Sequence, residues 1–113
     1  MLLEIDDNKT IGDLQENFNE SFPYLKLEFY DRRYRAVKNI HLLFPLPASA
    51  QLESIRKKHE PGILTIKSWF KTGKVEDELW EMYGLNARIY RMEGSKWVPS
   101  HPGEALTTRI NSI

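Results

Sequence analysis

Cysteine is absent from the 113 residues, and this removes several chemistries together. There can be no disulfide framework, no thiolate nucleophile and no cysteine-ligated metal. An excess of charge of either sign is also missing. Sixteen Lys and Arg balance sixteen Asp and Glu, for a formal net charge of zero. Proteins that grip phosphate backbones carry a basic excess that displaces counterions, so the balance counts against nucleic acid as the main partner. No apolar run approaches the roughly 20 residues that span a bilayer. Met1–Asp7 has neither the basic region nor the apolar stretch of a secretory signal. A reducing, cytoplasmic setting with no membrane partner is the expectation.

Catalytic signatures are equally scarce. His41, His59 and His101 stand in three separate segments, with no helical i, i+4 pair to start a metal site. There is no Gly-x-Ser-x-Gly elbow, and the six glycines are too dispersed for a phosphate loop. The acidic clusters Asp6/Asp7 and Glu76/Asp77/Glu78 sit where turns and the positive ends of helix dipoles favour them. No catalytic, metal or cofactor residue is assigned, and no cofactor is expected.

What is present is ordinary globular material, 41% hydrophobic and 28% charged. Thr10 can cap a helix with Asp13 three residues on. Ile11, Leu14, Phe18 and Phe22 follow on one helical face, and Pro23 predicts the helix end at Phe22. Leu25, Leu27 and Phe29 then alternate with Lys26, Glu28 and Tyr30, the period of a half-buried strand. A shorter echo follows in Lys74–Met92. Val75, Leu79, Met82 and Tyr83 form a helix face, Gly84 suits the left-handed C′ position, and Leu85, Ala87 and Ile89 alternate after it. Leu2–Asp6 and Ile63–Phe70 read as strands before each helix. The repeated unit is strand–helix–strand.

Between the units, Ala48–His59 reads as a third helix. Arg56, Lys57, Lys58 and His59 lie at its C-terminal end, where cations favour the dipole. Pro61-Gly62 ends it. Glu93-Gly94-Ser95 reads as a hairpin turn into a short edge strand, Lys96-Trp97-Val98. After Pro99 the period fades. These elements predict a single α+β domain over 1–98, with an insertion at 31–62 carrying a helix at about 48–59, and a loosely held tail at 99–113. Two strand–helix–strand units in one sheet favour right-handed parallel crossovers, most simply a ferredoxin-like arrangement with an inserted third helix.

Four stretches of the second half carry a resemblance. They are Gly62-Ile-Leu-Thr-Ile, Val75-Glu-Asp-Glu-Leu, Tyr83-Gly-Leu-Asn-Ala-Arg-Ile-Tyr-Arg and Gly94-Ser-Lys-Trp. Over Ile55–Val98 the chain resembles an uncharacterised family of small bacterial α+β proteins. The resemblance implies a fold and no catalytic residues.

Two stretches are candidates for contact with a partner. Asn39–Pro47 is an apolar arm that two prolines bar from a central strand. Its Leu42, Leu43 and Phe44, with Trp97 on the edge strand, are the candidate interface for a second copy or another protein. Arg32, Arg33, Arg35 and Lys38, with Tyr34 among them, form a candidate basic patch. The sequence therefore favours a small non-enzymatic interaction or self-associating module, a homodimer being its simplest form. The alternative is single-stranded nucleic-acid binding on the sheet face and the basic 32–38 loop. The expected open face offers Glu4, Lys26, Glu28, Tyr30, Thr65, Lys67, Arg88 and Tyr90, with no aromatic on its central strands to stack a base.

Overall fold

The first helix begins where its cap dictates. In the computed structural model, which describes residues 1–31 and 44–107, the Asp13 amide donates to Thr10 Oγ1 at 3.2 Å. The Thr10 amide donates back to Asp13 Oδ2 at 2.9 Å, completing a capping box. Helix α1 (Ile11–Ser21) buries Ile11, Leu14 and Phe18. It joins strand β1 (Leu2–Ile5) to β2 (Leu25–Tyr30). The second unit consists of β3 (Gly62–Thr65), α3 (Thr72–Tyr83) and β4 (Asn86–Glu93), with the edge strand β5 (Lys96–Pro99) turned back on β4. Gly84 ends α3 at φ 67°, where a Cβ is unfavourable.

The α+β class holds, but the sheet does not take the ferredoxin-like order. The described strands form two sheets, β1-β3 and β2-β4-β5. The pairings within them are antiparallel, with Leu3 opposite Leu64 and Leu27 opposite Ile89. The two strands of one unit do not pair with each other. Each pairs with its counterpart in the other unit, so an approximate two-fold axis relates the units. Alternation specifies which face of a strand is buried, not which neighbour it takes or in which direction. The parallel crossovers expected within one sheet are not formed by the described strands, because the two strands of each unit lie in different sheets.

The repeat extends further than strand–helix–strand. After β2 the chain returns over the start of α1, where the amides of Ile11 and Gly12 donate to Ala50 O and Ala48 O, both at 2.9 Å. After β5 it returns over the start of α3 in the same way. The amides of Thr72 and Gly73 donate to Glu104 O at 2.8 Å and Pro102 O at 3.0 Å. Antiparallel bridges join Thr10 to Gln51 and Lys71 to Ala105. Leu52 and Leu106 close the two straps, both buried in the shared core. A helix N-terminus has amides without intrahelical partners, and each strap supplies carbonyls to them.

This explains two departures from expectation. The helix expected at about 48–59 is a single turn, α2 (Leu52–Ile55). The carbonyls of Ala48 and Ala50 are engaged by α1, and Arg56 is already extended at φ −127°, ψ 151°. The stretch expected as a loose tail is tied down as far as its described residues run, to Thr107, whose hydroxyl donates to Ser68 O at 3.1 Å. The expected strand Ile63–Phe70 is also shorter, ending at Thr65.

The straps differ in clearance. A Cβ on Gly73 would lie 2.8 Å from Pro102 Cβ and 3.0 Å from its carbonyl oxygen, whereas one on Gly12 would lie 3.2 Å from Ala48 O. Gly73→Ala is expected to destabilise by about 2 kcal/mol through overpacking. Gly12→Ala should change stability by less than about 1 kcal/mol, because alanine's better helix propensity offsets a smaller clash. Urea denaturation of the two variants checks the contrast.

Candidate functional site: the outer face of the three-stranded sheet

The pleat sorts the three-stranded sheet into two faces. Leu25, Leu27, Phe29, Ala87 and Ile89 point to the core. The other face runs in rows across the strands. Tyr30 lies opposite Asn86, Glu28 opposite Arg88, and Lys26 opposite Tyr90, which is itself opposite Pro99. The last row sets Met92 opposite Trp97. Tyr24 precedes the strand residue that faces Arg91 and is exposed, as are Met92 (41%) and Trp97 (38%). Lys26 Nζ stands 5.6 Å from the centre of the Trp97 ring, within cation–π range, and 3.0 Å from Glu28 Oε2. One end of this face is thus aromatic, exposed and fringed by both signs of charge.

The other end is closed. Tyr30 is buried and its hydroxyl is hydrogen-bonded to that of Tyr90. Burial, then this hydroxyl contact, pushes the Tyr30 phenol well above its ordinary pKa. Tyr30 is therefore a packed side chain and not a free stacking surface.

The sheet's two outer edges also differ. On β2, Gln15 Nε2 donates to Leu27 O at 2.8 Å and Asn19 Nδ2 donates to Leu25 O at 3.0 Å. The amide of Leu46 donates to Phe29 O at 2.7 Å. Carbonyls that could accept another strand are already engaged. On the opposite side β5 is the outermost of the described strands, and it carries Trp97.

A separate cleft of about 580 Å³ lies between the end of β2 and the C-terminal end of α3. Phe29, Leu46, Ile55 and Trp80 line it, with Asp31, Lys57 and Lys58 also in its wall. Asn86 lines it too, and its Nδ2 is buried without a hydrogen-bond partner among the described residues. Directly after α2, Arg56 is buried. It donates to Asp7 Oδ1 at 2.8 Å, to Glu60 O at 3.1 Å and to Tyr83 O at 3.3 Å. His59 Nδ1 lies 2.8 Å from Asp7 Oδ2. Among the described residues no three His, Asp or Glu side chains are grouped as a metal site. No described helix is long and apolar enough to cross a membrane.

Of the residues singled out in the sequence, Trp97 lies on the edge strand and Phe44 is 77% exposed. Leu42, Leu43, Arg32, Arg33, Arg35 and Lys38 lie outside the described residues. Met92, Tyr24 and Lys26 were not linked to Trp97 by sequence reasoning. The signal was available for Met92: a two-residue turn at Gly94-Ser95 sets it opposite Trp97. The sequence places Arg56 among the cations at a helix C-terminal end, and nothing local signals its burial.

No family model, curated protein or solved structure matches the chain.

Proposed function

We propose that this protein is a non-enzymatic module that self-associates through the Trp97 end of its three-stranded sheet. The observation that carries the reading is that Trp97 on β5, Met92 opposite it on β4 and Tyr24 just before β2 are all exposed at one end of the sheet. Aromatic and Met side chains are the residues enriched where proteins meet. A second copy suits the fringe of charge. Lys26 lies beside Glu28 on this face, so a two-fold can set opposite charges against each other. A cysteine-free chain of this composition suits the cytoplasm.

Sedimentation velocity over a wide concentration range tests this. The native chain should show a reversible dimer. Trp97→Ser should weaken association by 10-fold or more, the effect of losing an aromatic anchor worth about 2 kcal/mol. Association unchanged by Trp97→Ser, in a chain with a native circular dichroism spectrum, would remove this surface from consideration.

A further inference from the structure

We infer that the chain can form a dimer by exchanging halves, its first unit completing the second unit of another copy. This is a route to a dimer separate from the Trp97 surface, and it rests on the repeat. Each half carries its own helix, its own strap over that helix and its own helix–strand packing. The pairings β1-β3 and β2-β4 run between the halves. So do the bonds from the Met1 amino group to Ile66 O and from Arg56 to Tyr83 O.

One connection joins the halves, Lys57–Pro61, without helix or strand. Lys57 to Pro61 are all exposed. If that connection opens, the same pairings re-form between two chains with no new surface required. Such an exchange of identical elements is a low-cost route to a dimer. The intramolecular arrangement is favoured at low concentration, where the tethered half has the higher effective concentration. The exchanged form is favoured when chains fold at high concentration.

The absence of cysteine makes a direct test possible. Glu4 and Ile63 are exposed and face each other in the β1-β3 register. Met1 and Ile66 exchange amino and carbonyl bonds, so by alternation Glu4 and Ile63 form a non-hydrogen-bonded pair. Such Cα atoms lie about 4.5 Å apart, within reach of a disulfide. The double variant Glu4→Cys/Ile63→Cys is refolded at low and at high protein concentration and then oxidised. Its covalent state is read on non-reducing gels.

Most of the high-concentration product should run as two linked chains, and the low-concentration product as one. The interchain product should persist when Trp97→Ser is added. A solution dimer whose disulfides all close within single chains would overturn the exchange and leave the Trp97 surface standing. A monomer at every concentration would overturn both. An interchain product lost with Trp97→Ser would also overturn the exchange, since that product would then depend on the sheet face.

Discussion

Replacing Arg56 by alanine is expected to cost about 3 kcal/mol, because its removal strands buried carbonyl acceptors and leaves a void. The guanidinium is fully buried and forks between the β1–α1 turn at Asp7, the hinge at Glu60 O and the end of α3 at Tyr83 O. Arg56→Lys should recover little, since an ammonium lacks the planar fork that reaches three acceptors. Urea denaturation at neutral pH measures both. A loss below about 1 kcal/mol would mean that water replaces the guanidinium without penalty.

The same contact sets an acid dependence. Partial desolvation acts to raise the Asp7 pKa, but hydrogen bonds from Arg56 and His59, with their charges, hold it below the ordinary 3.8. A carboxyl depressed by folding stabilises the fold above its unfolded pKa, and that stabilisation is lost as pH falls through the folded value. The native chain should therefore lose stability below about pH 4. Arg56→Ala should lose less over the same range, because most of the depression has gone.

Leu106→Ala is expected to cost about 3 kcal/mol, the usual result of truncating a buried leucine. Leu106 is 4% exposed and belongs to the same core cluster as Val75 and Leu79. Its amide donates to Phe70 O at 2.9 Å, as the Leu52 amide donates to Lys9 O at 2.9 Å. Leu52→Ala, the equivalent change in the first strap, should cost a similar amount. If the stretch after Pro99 were only a tail, Leu106→Ala would leave the urea midpoint in place. Here the two variants should shift it together.

Alternation and capping made much of the fold legible. Thr10 and Asp13 set the start of α1, Gly84 set the end of α3, and the turn at Gly94 set the edge strand at Lys96–Pro99. These are local effects, decided within four residues by hydrogen bonds and backbone sterics. The echo between the halves was visible where it had a helix or strand period. It was invisible in the straps, because a strap has no period. Pro47-Ala48-Ser49-Ala50 and His101-Pro102-Gly103-Glu104 share few letters. What they share is a path of backbone carbonyls over a helix N-terminus, and any residue has a carbonyl.

The candidate surface divided in the same way. Trp97 could be placed on an edge strand because a hairpin is local. Tyr30 was expected on an open face and is buried, since the packing over one end of that face comes from elsewhere in the chain. The sequence by itself determined α1, α3, the alternating faces of β2 and β4 and the lack of thiol chemistry. Only the tertiary structure decided that equivalent strands pair across an approximate two-fold, that the straps close each unit, and that Arg56 is buried. Those outcomes depend on partners distant in the chain, and a local pattern constrains which face a strand buries without naming the strand that lies beside it.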